Sequence, residues 1–541
     1  MDRPLMISQI IEYAEVNYPD QEIVSRTAEG LLHRYTYRDA ARRSRQLANA
    51  LRSLGVQEED RIATVAWNTY RHLEIYYATS GIGAICHTIN PRLPVDQFAY
   101  IINHAEDKYV FLDVTFVPLL EKLQEHLKGV AGYVVMTDAE HMPKTSLPNV
   151  HCYEELIQGQ PDTFDWPEFD EYAASSLCYT SGTTGNPKGV LYSHRSTLLH
   201  AFSVLALPGL NLSEESAVLP VVPMFHVNAW GVPYFALMVG AKLVFPGPKL
   251  DGESLATLMN EEGVTDAWGV PTVWLGLLGH MRKTGQKFKS LRRVLIGGSA
   301  APAAMITEFE TQYGVEAVQG WGMTEMSPVG TVSFVRPRDK SLPADQQLAI
   351  KVKQGRALFG VEMKIVDADG KRLPHDGRAF GELLVRGPAI TSGYYRNPEA
   401  NAEAFDSEGW FRTGDVSRID PDGYMEIVDR TKDVIKSGGE WISSIDLENE
   451  AVGHPEIAEA AVIGVAHPKW GERPLLVVVR EAGSNLDKDG VLDFLRGRIA
   501  SWWMPDDVVF VDELPHSATG KLQKVKLREQ FKDYKLPTAD A

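Results

Sequence analysis

The sequence predicts an α/β fold, and two observations carry this prediction. Short apolar runs typical of buried strands alternate with segments of helical periodicity over residues 61–136 and again over 264–313. This alternation is the order of strands and crossover helices in a parallel sheet. Between about 355 and 430 the pattern changes to short strands and Asp-Gly turns, which predicts a small antiparallel or barrel-like unit.

The first elements are two helices. Apolar residues recur at helical spacing over residues 7–16. Thr36 and Asp39 resemble a capping box that opens a second helix, which continues to Leu54 and stops at Gly55. These signals predict two amphipathic helices before the first sheet.

The central elements follow the strand–helix alternation. Predicted strands are 61–66, 108–112, 132–136, 264–268 and 293–296. Predicted helices lie near 70–80, 95–104 and 115–127, from about 271, and from Pro302 to about Tyr313, where proline suits a first helical turn.

The last 180 residues predict two smaller units. Strands at 362–366 and 381–385 belong to the antiparallel unit, with hairpin turns at Asp369-Gly370 and Asp422-Gly423. After residue 430 the pattern is mixed again, with helices near 445–453 and 489–501 and strands near 460–466 and 474–480. About 110 residues suffice for an independent domain.

Composition limits the classes of function. The 541 residues are 44% apolar, enough for two to four domains. The 54 Lys and Arg residues stand against 72 Asp and Glu residues, and the formal net charge is −18. A chain this acidic is repelled by nucleic acid and by anionic membrane, so neither is expected as its main partner.

Cysteine usage and apolar runs suggest a location. Cys86, Cys152 and Cys178 form no C-x-x-C pair, so the sequence shows neither a zinc knuckle nor a disulfide framework. The first residues lack a basic start followed by an apolar stretch, and no apolar run reaches 18 residues. We therefore expect a cytoplasmic protein without an integral membrane segment.

The segment Tyr179–Gly189 has the composition of an anion site. It reads Tyr-Thr-Ser-Gly-Thr-Thr-Gly-Asn-Pro-Lys-Gly, with three glycines that let backbone N–H groups converge on an anion, four hydroxyls and the charge of Lys188. Its spacing is not that of a Walker loop. The apolar runs on both sides argue against a flexible linker. The segment is therefore predicted to bind phosphate.

This loop resembles the signature loop of the adenylate-forming superfamily, which includes acyl-CoA synthetases, and motifs from residue 179 to 524 match that family in order, most closely its fatty-acyl-CoA ligases. The resemblance implies a large N-terminal domain (1–430) with stacked mixed and parallel sheets and a small barrel-like subdomain. It also implies an α+β C-terminal lid (431–541) that moves about a hinge at Lys432. The implied substrates are ATP, CoA and a carboxylic acid, the implied cofactor is Mg²⁺, and the implied assembly is a homodimer.

Residues 319–326, Gln-Gly-Trp-Gly-Met-Thr-Glu-Met, supply a flat ring, a hydroxyl and a carboxylate. A Mg²⁺-bound nucleotide needs such a set. By the resemblance Trp321 lines the adenine site, Thr324 contacts the α-phosphate, and Glu325 ligates Mg²⁺ with the hydroxyl of Thr180. In isolation the segment could also be a turn before a helix that Thr324 caps.

Residues 297–302, Gly-Gly-Ser-Ala-Ala-Pro, are predicted to join a strand to a helix N-terminus. The resemblance assigns them to the walls around adenine and the acyl carbonyl. A serine-hydrolase nucleophile elbow is rejected because Ala301 replaces its last glycine and no His or Asp partner can be named.

Two further motifs concern the ribose and the acid. Asp415 follows a tight turn, as a carboxylate that binds a ribose diol would, and Arg430 is expected beside the ribose or phosphate. By resemblance His226 lies near the reacting carboxylate, and Trp230 is the gate of the acyl tunnel. The alternative for this segment is a core helix or strand end with a satisfied histidine; if helical, the two residues would share a face.

The C-terminal motifs concern CoA and adenylation. Gly438 and Gly439 permit close approach of an extended chain such as pantetheine, while Lys436 and Trp441 could face nucleotide or thiol. Lys521 lies in a Pro-x-x-x-Thr-Gly-Lys-x-x-Lys motif, and its charge would stabilise carboxylate attack on the α-phosphorus.

The resemblance thus assigns a complete set of site residues. The catalytic residues are Lys521, His226 and Lys432; the metal ligands are Thr180 and Glu325; the substrate residues are His226, Trp230, Gly298 and Gly322. The ATP and CoA residues are Thr180, Ser181, Gly182, Thr183, Thr184, Gly185, Lys188, Gly298, Ser299, Ala300, Gln319, Gly320, Trp321, Gly322, Thr324, Asp415, Arg430, Lys436, Gly438, Gly439 and Trp441.

The resemblance implies a medium- to long-chain fatty acid as substrate, with 3-methylmercaptopropionate or another short acid as the alternative. A stand-alone adenylation enzyme that loads a carrier protein would keep the same ATP motifs. A catalytically silent binding protein would be expected to lack Lys521 or Glu325, and the sequence has both.

Overall fold

The structure, a computed structural model, describes residues 2–180, 186–438, 440–515 and 522–539. The chain divides into two units. The first comprises Met1–Glu362 and Arg386–Phe411, and the second comprises Met363–Val385 and Arg412–Ala541. The predicted domain boundary at residues 430/431 therefore falls within the second unit, and the hinge at Lys432 stays a prediction.

The strands of the described ranges are β1 Glu22–Arg26, β2 Leu32–Thr36, β3 Arg61–Val65, β4 Ile85–Thr88, β5 Asp107–Leu112, β6 Gly132–Val135, β7 Val150–Cys152, β8 Ala174–Thr180, β9 Lys188–Ser193, β10 Ala217–Pro220, β11 Lys242–Phe245, β12 Asp266–Gly269, β13 Arg293–Ile296, β14 Glu316–Gly322, β15 Val329–Val332, β16 Arg356–Ala357, β17 Glu362–Val366, β18 Phe380–Arg386, β19 Tyr394–Tyr395, β20 Phe411–Ile419, β21 Met425–Arg430, β22 Ile435–Ser437, β23 Glu440–Ile442, β24 Ile457–His467, β25 Gly471–Arg480 and β26 Asp507–Phe510.

The α-helices of the same ranges are α1 Ser8–Asn17, α2 Tyr37–Ser53, α3 Tyr70–Gly81, α4 Val95–Ala105, α5 Val117–Leu123, α6 Tyr153–Ile157, α7 His194–Leu205, α8 Val232–Met238, α9 Gly252–Glu261, α10 Pro271–Thr284, α11 Ala303–Tyr313, α12 Ala344–Lys351, α13 Pro398–Ala404, α14 Ser444–Val452, α15 Lys488–Leu495 and α16 Lys524–Gln530.

Two large sheets form the first unit. Within the described residues one sheet has the order β16-β15-β14-β13-β12-β10-β11-β1-β2, and the other has the order β19-β9-β8-β4-β3-β5-β6-β7. Their central strands are parallel, which confirms the predicted α/β class. Every residue of α3 is buried, and α3 contacts β1 of the first sheet and β4 and β8 of the second. The helix therefore lies between the two sheets.

The second unit has two smaller sheets. Strands β17-β18-β20-β21 form one of them, and β20 and β21 pair antiparallel through the turn at Gly423, as predicted. The other has the order β23-β22-β25-β24, with β26 beside β25. Lys524, the last lysine of the C-terminal motif, pairs with Glu448 at 2.6 Å and donates to Ser444. This ion pair holds α16 against α14.

Most predicted elements are confirmed, and local signals account for them. Thr36 and Asp39 form the predicted capping box of α2. The helix predicted over 489–501 is wrong in length, because α15 ends at Leu495 and Gly497 adopts a φ of +79°. The helix predicted over 115–127 is α5 flanked by short 3-10 turns. None of the helices within the described residues has the length and apolar character needed to cross a membrane.

Candidate active site

The predicted phosphate loop is carried by a β-hairpin of the first unit. Thr180 ends β8, Lys188 begins β9, and the two residues are paired across the antiparallel strands. The Lys188 amide donates to Thr180 Oγ1 at 3.4 Å. The hairpin therefore fixes both ends of the loop. The predicted residues Ser181, Gly182, Thr183, Thr184 and Gly185 lie outside the described residues.

The predicted adenine walls lie at the carboxyl ends of β13 and β14. Gln319 of β14 is buried; its Oε1 accepts from the Ala301 amide and its Nε2 donates to the Val352 carbonyl. Gln319 thus ties the segment after β13 to the neighbouring strand. The carboxyl edge of parallel strands is where ligands bind in open α/β sheets.

After β13, Gly297 is buried and the segment Gly298–Ala300 is exposed. Gly298 has a φ of +81°, and Ser299 and Ala300 are exposed. A Cβ atom on Gly297 would lie 2.7 Å from the indole of Trp230 and 3.2 Å from the carbonyl of Gly320. Gly297 is therefore the position that lets Trp230 pack against this wall.

Glu325 lies in a 3-10 turn, Thr324–Met326, that follows β14. Tyr192 donates to the carbonyl of Thr324 at 2.6 Å, and the Thr391 amide donates to the carbonyl of Glu325 at 2.7 Å. Tyr394 donates its hydroxyl to Glu325 Oε1 at 2.8 Å. The turn and its carboxylate are therefore held from β9 and from the segment around β19.

A buried histidine holds the chain just after this turn. Burial lowers the pKa of His200 to about 3, so the ring is neutral at physiological pH. A neutral ring can accept a hydrogen bond, and His200 Nε2 accepts one from the Val329 amide at 3.1 Å. The histidine thereby fixes the start of β15.

The side chains at this turn suit Mg²⁺ that arrives with a nucleotide. Within the described ranges no group of three or more His, Cys, Asp and Glu residues could hold a metal ion. Nucleotide-bound Mg²⁺ requires only one or two protein carboxylates, since phosphate and water fill its other positions. Glu325, with an exposed fraction of 6%, is such a carboxylate, and Thr180 adds a hydroxyl.

Residues 227–231 form a left-handed turn. The φ angles of Val227, Asn228, Ala229 and Trp230 lie between +48° and +58°, and Gly231 has a φ of +85°. The right-handed helix that would put His226 and Trp230 on one face is therefore wrong. Each L-residue in this region costs about 1–2 kcal/mol, so surrounding contacts must hold the turn.

Asn228 supplies those contacts. Its Nδ2 donates to Ser176 Oγ at 2.9 Å, and its Oδ1 accepts from the Cys178 thiol at 3.7 Å. Burial raises the pKa of Cys178 to about 11, so the thiol keeps its proton. Ser176, Cys178 and Thr180 alternate along β8 and share one face. The strained turn is thus attached to the strand that leads into the phosphate loop.

Two substitutions of Asn228 test whether the left-handed turn is strained. Asn228→Ala leaves the buried Ser176 hydroxyl without its partner and should lower the free energy of unfolding by about 1–3 kcal/mol. Asn228→Gly loses the same bonds but favours positive φ, so it should be about 1 kcal/mol more stable than the alanine variant. Denaturant unfolding of both proteins checks this order. An alanine variant as stable as the glycine variant would contradict strain at this turn.

The two residues predicted to meet the acid flank the turn. His226 is exposed, which contradicts the alternative of a buried core histidine. Trp230 is half-buried, with its ring 6.4 Å from that of Trp268 and its edge against Gly297. The turn therefore presents Trp230 to the wall formed by the ends of β13 and β14.

In the second unit, Asp415 and Arg430 are paired across β20 and β21. The Asp415 side chain is 2% exposed, and its Oδ1 lies 2.8 Å from Nη1 of Arg430, which is 54% exposed. Arg430 thus gives a buried carboxylate an ion-pair partner that reaches the surface. The hydroxyl of Thr413 accepts from the Asp415 amide and sets the turn at Gly414.

The predicted CoA residues surround the β22–β23 hairpin. Lys436 is exposed and pairs with Trp441 across the strands. Gly438 has a φ of +61° and donates its amide to the Trp470 carbonyl at 2.7 Å; a Cβ there would lie 2.9 Å from the Trp470 ring. The close approach that Gly438 permits is therefore to Trp470. Lys432 is exposed, and Gly439 and Lys521 lie outside the described residues.

Four residues of these sites had no predicted role. Tyr192 and Tyr394 hold the Glu325 turn, Asn228 holds the left-handed turn, and Trp470 packs on Gly438. Each acts through contacts with residues distant along the chain. Only the Asn-Ala-Trp-Gly context of Asn228 carried a local signal, because Asn tolerates positive φ better than other non-glycine residues.

Comparison with known proteins gives consistent results. Residues 11–395 match the family model described as AMP-binding enzyme, and residues 446–521 match the AMP-binding enzyme C-terminal domain. The 3-methylmercaptopropionyl-CoA ligase of Ruegeria lacuscaerulensis is 52% identical over 98% of each chain. The medium-chain-fatty-acid–CoA ligase of Ectopseudomonas oleovorans is 49% identical over 100% of this chain and 98% of its own.

A solved structure is also similar over nearly the whole chain. ATP-bound MatB from Rhodopseudomonas palustris is 27% identical, with a TM-score of 0.79, over 98% of this chain and 100% of its own. The fold described above is therefore shared with a protein whose structure was solved with ATP.

Proposed function

The chain belongs to the AMP-binding enzyme family, and on that premise we propose that its substrate is a medium- to long-chain fatty acid. It is an AMP-forming acid–thiol ligase, which joins a carboxylic acid to CoA through an acyl-adenylate and releases AMP and pyrophosphate. The observation that carries this conclusion is the full-length identity to CoA ligases. The structure supports it, because Thr180 and Lys188 are paired in one hairpin and Tyr394 contacts both Lys188 and Glu325.

The first half-reaction is adenylation. The acid's carboxylate oxygen attacks the α-phosphorus of ATP, a new O–P bond forms, and the bond to the β-phosphate oxygen breaks to release pyrophosphate. Lys188 and the loop amides bind the phosphates, and Lys521 stabilises the charge of the attacking and transferring groups. Glu325 and Thr180 would hold Mg²⁺, which would supply positive charge to offset that of the phosphates. Asp415 accepts hydrogen bonds from the ribose diol.

The second half-reaction is thioester formation. The CoA thiolate attacks the acyl carbonyl, and AMP leaves with the electron pair of the broken C–O bond. The C-terminal segment changes orientation about Lys432 between the half-reactions, so that Lys521 is withdrawn and the Lys436–Trp441 hairpin serves CoA. Exchange of a mobile segment lets one cleft perform two steps.

The acid is recognised beside the left-handed turn. Trp230, whose ring edge lies against Gly297, is proposed to limit the length of the acyl chain. Each buried methylene contributes about 0.8 kcal/mol, so eight carbons favour binding by about 6 kcal/mol. One methylene more or less changes selection only a few-fold, which gives a broad rather than a sharp length optimum.

The second candidate substrate is 3-methylmercaptopropionate. The observation that favours it is the 52% identity to a 3-methylmercaptopropionyl-CoA ligase over 98% of the chain. This acid has a short apolar tail ending in a methylthio group, so it would need a closed rather than a long pocket behind Trp230.

AMP release with a panel of acids tests the proposal. Straight-chain acids from acetate to stearate, an aryl acid and methylthio acids are each assayed with and without CoA. We expect CoA-dependent turnover with a broad optimum at medium to long chains. A sharp optimum at methylmercaptopropionate would overturn the fatty-acid proposal in favour of the second candidate. Sustained turnover without CoA, or acyl transfer to a carrier protein, would contradict ligation to CoA.

Trp230→Ala is expected to shift selectivity toward longer acids. Removal of the indole opens space beside Gly297, and the ratio of kcat/KM for a long acid to that for a short acid should rise by about tenfold, or about 1.4 kcal/mol. Steady-state kinetics with two acids measures the ratio. Trp230→Phe retains a ring and serves as the matched control. An unchanged ratio in the alanine variant would contradict the gate role.

Two finer features complete the proposal. We propose a homodimer, on the resemblance to long-chain fatty-acyl-CoA ligases, and size-exclusion chromatography with light scattering tests it. A cytoplasmic location is also proposed, because the three free, buried cysteines suit a reducing compartment, and fractionation of cells tests that location.

A further inference from the structure

Tyr394 touches two groups of the proposed ATP site that come from different segments. Its hydroxyl donates to Glu325 Oε1 at 2.8 Å, and Lys188 Nζ lies 4.8 Å from the centroid of its ring. One side chain thus contacts the carboxylate proposed for Mg²⁺ and the ammonium group proposed for phosphate.

The backbone of Tyr394 is fixed from two sides. It lies in β19, where Tyr394 pairs with Val190 and Tyr395 pairs with Gly189 of β9. Asn401 accepts from the Tyr394 amide at 2.6 Å and donates to its carbonyl at 3.1 Å. These backbone bonds therefore fix the position of Tyr394 beside β9, the strand that follows the phosphate loop.

The Tyr394 ring is half-buried and packs against other side chains. It packs on an apolar cluster formed by Cys178, Val190, Tyr192 and Val227, and its centroid lies 6.3 Å from that of Phe411. These contacts join β8, β9 and the left-handed turn. A ring held in this way costs little entropy to keep in place when it binds the groups beside it.

The two contacts have distinct physical consequences. A donor on Oε1 fixes the rotation of the Glu325 carboxylate, as hydrogen bonds to metal-ligating carboxylates commonly do. The face of an aromatic ring attracts an ammonium group, so it favours one position of the flexible Lys188 side chain. The hydroxyl thus acts on the metal ligand, and the ring acts on the phosphate ligand.

We propose that Tyr394 is a positioning residue for Mg·ATP that orients Glu325 with its hydroxyl and Lys188 with its ring. This inference rests on the proposed function, because it takes ATP as the substrate of the site. It adds a residue outside the predicted motifs.

The two roles are separated by two substitutions and one control. Tyr394→Phe removes the hydroxyl and keeps the ring, whereas Tyr394→Leu removes both. Tyr395→Phe is the matched control, because it changes the adjacent tyrosine, whose ring contacts His104 and Arg396 instead. Calorimetry measures ATP binding without acid or CoA, both in EDTA and over a series of Mg²⁺ concentrations.

Each variant has its own expected result. Tyr394→Phe should raise the Mg²⁺ concentration for half-maximal ATP binding by about 10- to 100-fold and leave ATP affinity in EDTA unchanged. Tyr394→Leu should show the same Mg²⁺ effect and also weaken ATP binding in EDTA by about 2- to 30-fold. Tyr395→Phe should match the wild type in both measurements. In steady-state assays of Tyr394→Phe, the KM for Mg·ATP should rise while the KM for the acid stays the same.

The failures of the two proposals are distinguishable. If wild-type protein binds Mg·ATP and Tyr394→Phe has an unchanged Mg²⁺ requirement, the positioning role is overturned and the proposed function stands. A Tyr394→Phe protein whose KM values for ATP and acid rise together, with a lowered unfolding midpoint, would show a structural role and also overturn the inference. Wild-type protein that binds no ATP would overturn both.

Discussion

The Lys521→Ala protein is expected to lose adenylate formation and to keep thioester formation from supplied acyl-adenylate. The ammonium group is proposed to stabilise charge only while the carboxylate attacks the α-phosphorus. Loss of one such group commonly lowers kcat by about 100- to 1,000-fold, or about 2.7–4 kcal/mol. Thioester formation does not use Lys521 in this mechanism, so its rate should stay within about twofold of the wild type.

Two assays separate the half-reactions. ATP–pyrophosphate exchange measures adenylation, and AMP release from synthetic acyl-adenylate with CoA measures thioester formation. Lys526→Ala is the matched control, because Lys526 is an exposed lysine in the same C-terminal segment. Exchange near the wild-type rate in Lys521→Ala would contradict the assignment, as would an equal loss of both half-reactions.

The fold was predictable where short segments carried their own signals. The capping box at Thr36 and Asp39 and the strand at 293–296 were both predicted correctly from neighbouring residues. The helix predicted over 489–501 was too long, because the periodicity continues past Gly497 while the backbone does not. A glycine tolerated within a helix and a glycine that ends one look alike in sequence.

The left-handed turn shows a stronger limit on prediction. Val227 and Ala229 adopt a backbone that their own side chains disfavour, and contacts from Asn228 to β8 support it. Tertiary contacts here overrule local preference. Asn228 and Gly231 tolerate positive φ, but the conformation of Val227 and Ala229 depends on how β8 and the turn lie together in three dimensions.

In the candidate site, too, some residues were predictable from local sequence and others were not. Thr180, Lys188 and Glu325 were predicted because polar residues among glycines have little to bury, so a ligand is the natural reason for them. Tyr394 carried no such signal, because a tyrosine pair between Gly393 and Arg396 is equally compatible with a core or surface position. Its bond to Glu325 joins residues 69 positions apart, a contact that no local pattern encodes.

Lys432→Pro is expected to produce the reverse defect of Lys521→Ala. In the structure Lys432 is exposed and lies between two backbone hydrogen bonds, from Thr431 to Gly414 at 2.9 Å and from Asp433 to Arg430 at 2.8 Å. Proline fixes its own φ and restricts the preceding residue, so rotation at this point should be lost. Adenylation should remain within about twofold, while thioester formation should fall at least about tenfold, or about 1.4 kcal/mol.

The matched control for this hinge prediction is Lys432→Ala, which removes the side chain and keeps the backbone free to rotate. Pyrophosphate exchange and thioester formation from acyl-adenylate are measured for both variants. If Lys432→Ala shows the same defect as Lys432→Pro, the side chain rather than the rotation matters, and the hinge assignment is wrong. If Lys432→Pro loses both half-reactions with a lowered unfolding midpoint, the turn between Arg430 and Asp433 is a structural requirement. A selective loss of thioester formation in the proline variant alone requires that the backbone at residue 432 rotates between the two half-reactions.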